Sequence, residues 1–261
     1  MQTRTAVDIS SLSLPREVAD WVGDARLYES SGMSGARTVF VDRDNGAYLK
    51  IAEAGKLARL AEMQSCFHRN GLSSEVILYH SADRDYLITA PVPGESGIAG
   101  KYLAEPARLS KIFGESLRRL HDAPPAGAPG YDVTQELADQ APAATFAQWH
   151  MDDLAPFLGK ISVETAAEEI AAKRSLLKSD AILHGDYCLP NIMLDNWQFS
   201  GFIDIGEGGR GDKHYDICWG LWTIMFNLKS AEYGEIFLDS YGRDAIDPER
   251  LRICALLTAI E

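Results

Sequence analysis

The sequence predicts an α+β chain of two unequal lobes, a small β-rich N-terminal half and a larger, mainly helical C-terminal half. Three observations carry this. Across the first ninety residues, short β-branched or aromatic runs alternate with turn residues. The run Ala90-Pro91-Val92-Pro93-Gly94 then interrupts all periodicity and reads as a hinge. Beyond it, apolar residues recur at helical spacing, except in one β-rich island at 182–205. The lobes are accordingly residues 1–92 and 93–261.

In the first lobe, strands are expected at 38–41, 47–51, 76–79 and 86–89, with Gly35, Asp44-Asn45-Gly46 and Asp83-Arg84-Asp85 as turn chemistry. Asn45-Gly46 between two such runs is a strong hairpin signal. Leu57, Leu60, Met63 and Phe67 fall on one face of a helix that Gly71 would stop. In the second lobe, a helix over 105–121 opens with Pro106 and aligns Leu109, Ile112, Phe113, Leu117 and Leu120. The Pro-, Gly- and Ala-rich stretch 123–130 is a loop, and further helices are expected at 165–177, 214–228, 231–241 and 248–260. No repeat or low-complexity tract is present. Ligands favour clefts between halves of this kind.

Composition narrows the function. Hydrophobic residues make up 46% and charged residues 24%, ordinary values for a water-soluble globular chain. The longest nearly unbroken apolar stretch, 217–226, is too short to cross a bilayer, and no secretion signal is seen. Cys66, Cys188, Cys218 and Cys254 lie far apart without metal-site spacing, which suits reduced thiols in the cytoplasm, two or more of them in the core. The net charge of −13 argues against nucleic acid or an anionic membrane as a partner. It is compatible with a cationic small molecule, although taken alone it is more often just a soluble surface.

The island carries the chemistry. It reads His184-Gly185-Asp186-Tyr187-Cys188-Leu189-Pro190-Asn191-Ile192-Met193-Leu194, then Phe202-Ile203-Asp204. Strands at 192–194 and 201–205, turning near Asn196, would bring Asn191 and Asp204 to neighbouring strand ends, with Asp186 on the loop before them. Phosphoryl transfer needs hard oxygen ligands for Mg²⁺ and a carboxylate that orients or deprotonates the attacking hydroxyl. Singly, these residues would pass for turn residues and a cap. Two carboxylates and an amide in this string supply both needs.

The run from His184 to Ile217 resembles the catalytic segment of the aminoglycoside 3′-phosphotransferases (kanamycin kinases), and weaker similarity extends over essentially the whole chain. The resemblance implies a protein-kinase-like fold and transfer of the γ-phosphate of ATP or GTP, with Mg²⁺, to an aminoglycoside hydroxyl, conferring antibiotic resistance. It implies Asp186 as the catalytic carboxylate and Asn191 and Asp204 as Mg²⁺ ligands. Asp216 would brace the catalytic loop, and His184 is structural. Gly32-Met33-Ser34-Gly35-Ala36 is similar to the family's phosphate-covering turn, so Met33, Ser34 and Gly35 are nucleotide-binding candidates, although a glycine pair alone equally suits a hairpin. Lys50 matches the lysine that holds the α- and β-phosphates, and Tyr48 a tyrosine that stacks on adenine. Thr89 to Val92 match the linker that hydrogen-bonds the base edge, and Ile203 completes the nucleotide set. Glu62 is the candidate partner of Lys50, although the helical wheel turns it away from the apolar stripe.

The acceptor side departs from the family pattern. Two acids expected near the C-terminus are Thr258 and Ala259, an acidic position ten residues after Asp216 is Phe226, and a family arginine is Glu207. Trp219 and Trp222 add aromatic character to the helix after Asp216. Asp152 and Asp153, in a loop region, and Glu261 are the substrate-binding candidates; Asp152-Asp153 equally suit a helix N-terminus or an exposed turn. Two rivals follow: a kinase of the same fold acting on a choline-like, amino-alcohol or macrolide acceptor, and a nucleotide-binding module without catalysis.

Overall fold

The computed structural model describes residues 5–30, 36–125 and 127–260. Contacts divide the chain into two compact units, Met1–Val92 and Pro93–Glu261.

The first unit is built on a six-stranded antiparallel sheet. In chain order its elements are β1 (Ala6–Val7), α1 (Arg16–Val22), β2 (Arg26–Glu29), β3 (Arg37–Asp42), β4 (Ala47–Glu53), α2 (Ala58–Arg69), β5 (Val76–Ser81) and β6 (Arg84–Thr89). The strands lie in the order β1-β2-β3-β4-β6-β5. Two-residue alternation sorts the sheet's faces. Leu27, Val39, Val41, Ala47, Leu49, Ile51 and Ile88 form a core with Leu12 and with Val18 and Val22 of α1. The β3–β4 hairpin closes where the sequence expects, with Asp44 and Gly46 both at positive φ.

The stripe expected on α2 is real: Leu57, Leu60, Met63 and Phe67 are all buried. The helix ends in a left-handed Gly71, and the Leu72 N–H reaches back to Phe67 O at 2.9 Å. Its start corrects one expectation. Asp85 is not a turn residue but a buried member of β6. It accepts hydrogen bonds from Leu57 N (2.7 Å), Ser81 Oγ (2.7 Å) and Tyr79 Oη (3.2 Å). Burial works to raise its pKa, yet these donors hold it below the ordinary value.

The second unit is mainly helical. Its elements are β7 (Glu95–Ser96), α3 (Gly100–Leu103), α4 (Pro106–His121), α5 (Val133–Gln140), α6 (Gln148–Leu158), α7 (Val163–Lys173), β8 (Ala181–Leu183), β9 (Ile192–Asp195), β10 (Gln198–Phe202), β11 (Gly209–Gly211), α8 (His214–Leu228), α9 (Ala231–Tyr241) and α10 (Pro248–Leu257). Leu109, Phe113, Leu117 and Leu120 of α4 are fully buried. Gly114 lets α4 close on α9, since a Cβ there would lie 2.4 Å from Phe237 O. Two small sheets, β7-β9-β10 and β8-β11, interrupt the helices. Two expectations change. β10 ends at Phe202, so 203–205 is not strand. Asp152 and Asp153 sit inside α6 rather than in a loop.

A buried ionic knot joins β11, α8 and α10. Asp212 accepts from Arg250 Nε at 2.7 Å and contacts His214 Nδ1 at 2.6 Å, all three side chains being nearly inaccessible. The four cysteines are free and buried. Among the described residues, no helix is long and apolar enough to cross a membrane.

Candidate active site

The site begins with a carboxylate buried in the first turn of α8. Asp216 accepts from His184 N at 2.7 Å and Gly185 N at 3.0 Å, and His121 Nε2 approaches it at 3.3 Å. Asp216 therefore braces the loop that follows β8. On that loop His184 is fully buried, its Nε2 3.1 Å from Ile203 O, while Asp186 N points at its Nδ1 from 3.3 Å. A carbonyl can only accept, so Nε2 carries the proton and Nδ1 is the acceptor. Burial pushes the imidazole's pKa down, opposed in part by the Asp216 charge, and keeps the ring neutral. His184 is thus a strut between Asp186 and Ile203.

Asp186 is half-buried and held from two sides. Asn191 Nδ2 donates to its Oδ2 at 2.8 Å and its backbone oxygen at 3.0 Å, and Cys188 Sγ lies 3.0 Å from Oδ1. Cys188, noted in the sequence only as a core thiol, was missed as a neighbour of this carboxylate. Its position two residues on was the available signal.

The β9–β10 hairpin joins the remaining groups. Phe202 pairs with Ile192, and Ile203 N donates to Asn191 O at 3.0 Å, so the backbones beside Asn191 and Asp204 are tied together. Asn196 and Trp197 turn this hairpin with φ of 47° and 67°, a pair of left-handed residues suited to a tight turn. Asp204 is also left-handed, with φ of 53°, and its side chain is exposed. Non-glycine residues seldom adopt that conformation unless their surroundings enforce it. The donor set suits a hard cation. With Nδ2 of Asn191 committed to Asp186, Oδ1 is its remaining donor, and Asp204 adds an exposed carboxylate. Among the described residues no group of three His, Cys, Asp or Glu is placed to hold a metal ion.

In the first unit, Tyr48 pairs across β4 and β6 with Thr89, and Lys50 with Leu87. Opposed residues share a face, so Tyr48, Lys50 and Thr89 stand on the side of the sheet away from the Leu49/Ile51 core. Phe40 meets the Tyr48 ring edge-on at 5.5 Å. Val92 is half-buried at the end of the linker. Glu62 lies on the exposed side of α2, close enough to Tyr79 to help raise its phenol pKa, after burial, the main cause. Met33, Ser34, Gly35 and Glu261 lie outside the described residues.

On the acceptor side, Asp152 is exposed and Asp153 half-buried. Thr258 and Ala259 are buried, the latter's carbonyl accepting from Ala147 N at 2.8 Å, so neither offers a charge.

Comparison with known proteins identifies the family. A family model described as the phosphotransferase enzyme family, APH, matches residues 30–254. The chain is 38% identical over 240 residues, 92% of each chain, to a probable aminoglycoside 3′-phosphotransferase of Lactococcus lactis. It is 30% identical to streptomycin 3″-kinase of Streptomyces griseus, covering 88% of this chain and 90% of that one. Among solved structures, aminoglycoside phosphotransferase APH(3″)-Id of Streptomyces rimosus, in complex with ADP and streptomycin, is similar with a TM-score of 0.68 at 21% identity. It covers 97% of this chain and 98% of that one. The chain belongs to the phosphotransferase enzyme family, the family of the aminoglycoside kinases, and has their fold.

Proposed function

We propose that the protein moves the γ-phosphate of ATP or GTP onto a hydroxyl of an aminoglycoside, of the 3′ class. The observation that carries this reading is the convergence of Asp186, Asn191 and the Ile203-Asp204 backbone on one loop and one hairpin. Asp186 orients the acceptor hydroxyl and takes its proton as the oxygen–phosphorus bond forms and the bond to the leaving diphosphate breaks. Asn191 Oδ1 and Asp204 are the groups to hold Mg²⁺, which when bound neutralises phosphate oxygens. Lys50 pairs with the phosphates, Tyr48 stacks on the base, and the Thr89–Val92 backbone takes the base edge, with Ile203 lining the nucleotide. The shared sheet face of Tyr48, Lys50 and Thr89 supports this assignment. The acceptor class follows from what the relatives are named for, and the net charge of −13 suits a cationic ligand. Asp152 and Asp153 are the carboxylates offered to its ammonium groups.

The test is Asp186→Ala with an acceptor panel and both nucleotides. Turnover on kanamycin or neomycin should fall by about a thousandfold, with nucleotide affinity nearly unchanged by titration. Full activity in that variant would refute the role. A wild-type enzyme inactive on every aminoglycoside but active on a macrolide or amino-alcohol would favour the second reading, another small alcohol.

A further inference from the structure

Tyr215, Trp219, Trp222 and Phe226 recur every three or four residues on α8, within a stripe about 60° wide. Their rings touch in series, with centroids 6.4 Å apart for Tyr215–Trp219, 5.5 Å for Trp219–Trp222 and 5.2 Å for Trp222–Phe226. The opposite side of the helix is core, since Ile217, Cys218, Leu221 and Ile224 are fully buried. Beyond the buried Tyr215 the row leaves the core: Trp219 and Trp222 are half-buried and Phe226 is 49% exposed.

Its inner end adjoins the reaction. Asp216, next to Tyr215, holds Gly185 N, and Thr223 Oγ1 accepts from Leu189 N at 3.2 Å, so α8 is tied to both sides of Asp186. Consistently, the Tyr215 phenol is pushed up first by burial and further by the charges of Asp216 and Asp186. The outer end already holds a cation, Lys229 Nζ standing 4.7 Å from the Phe226 ring centroid. From α6, His150 stacks parallel to Trp222 at 5.1 Å and meets Trp219 edge-on at 4.8 Å, which fixes the two indoles.

We propose that Trp219, Trp222 and Phe226 form the wall that recognises the acceptor, their exposed edges packing on the C–H face of an amino-sugar ring and Phe226 offering its π face to an ammonium group in place of Lys229. This rests on the aminoglycoside reading above and names the chemistry of its acceptor side. A pyranose ring presents apolar C–H bonds on one face and charged groups at its edge, which a half-exposed aromatic row matches better than isolated carboxylates do. Lys229 competes for the same ring and repels a polycation.

The test uses the full chain, with wild-type turnover on kanamycin measured first. Phe226→Ala, at an exposed position, and Trp222→Leu should each raise the acceptor KM by about tenfold, while the nucleotide KM stays put and Phe226→Tyr retains wild-type behaviour. Lys229→Asn, which suits the left-handed backbone there, should lower the KM for a polycation. An acceptor KM unmoved by Phe226→Ala and Lys229→Asn, in an enzyme that does phosphorylate kanamycin, overturns the wall but leaves the function standing. A wild-type enzyme that neither phosphorylates kanamycin nor changes its tryptophan fluorescence on adding it overturns both.

Discussion

Gly185 has φ of +85°, and a Cβ there would lie 2.2 Å from Glu207 O. The loop carrying Asp186 and the segment after Asp204 thus approach to a distance that only hydrogen allows. Gly185→Ala must displace the Glu207 carbonyl or the loop carrying Asp186. It should cost about 2–3 kcal/mol of stability, read as a lowered Tm, and should reduce kcat/KM more than the acceptor-wall variants do. The same closeness explains why His184 serves as a strut. Its ring spans the gap between the two segments with one donor and one acceptor, a task that a neutral imidazole performs and a charged one does not.

Among the elements, α2 shows how distant chemistry starts a helix. Nothing at its own beginning caps it, since Leu57 has no side-chain acceptor, and the carboxylate comes from Asp85 on β6. Asp85→Ala should cost about 1–3 kcal/mol and speed hydrogen exchange in the first turn of α2, because a buried donor loses its partner. A variant with unchanged exchange there would show that the cap is dispensable. The pattern on α2 was legible because apolar spacing is local. Its cap was not, because Asp85 lies 28 residues from Leu57 in sequence and reads, in isolation, as turn chemistry. Asp152 and Asp153, expected in a loop region, lie in α6, which continues through Pro156 to Leu158.

For the whole molecule, buried His150 and Asp212 give the response to acid two limbs. Burial lowers the His150 pKa from the ordinary 6.5 to about 4. The unfolded chain therefore takes up this proton first, and stability is lost as pH falls from 6.5 towards 4, by about 3 kcal/mol. Asp212 acts lower on the scale. Burial works to raise its pKa, but hydrogen bonds from His214 and Arg250 bring it from 3.8 to about 2. Its stabilisation is complete above 3.8 and disappears as pH falls towards 2, about 2 kcal/mol more. Melting curves against pH should show both limbs. His150→Phe should shrink the upper one without abolishing it, because burial also lowers His184 and His214.

The sequence by itself determined the meeting of Asp186 and Asn191 on one loop, the β9–β10 hairpin and the stripes of α2 and α4. In each, the needed residues lie within a few positions of one another, and local geometry brings them together. Only the tertiary structure decided that Asp85 caps a helix, that His150 stacks on Trp222, and that Asp212, His214 and Arg250 share one buried charge network. Apart from Asp212 and His214, which are sequence neighbours, those partners are far apart in the chain, and what joins them is the exclusion of water from a packed interior. There an unpaired polar group is costly, which favours such pairings wherever the fold brings the groups together.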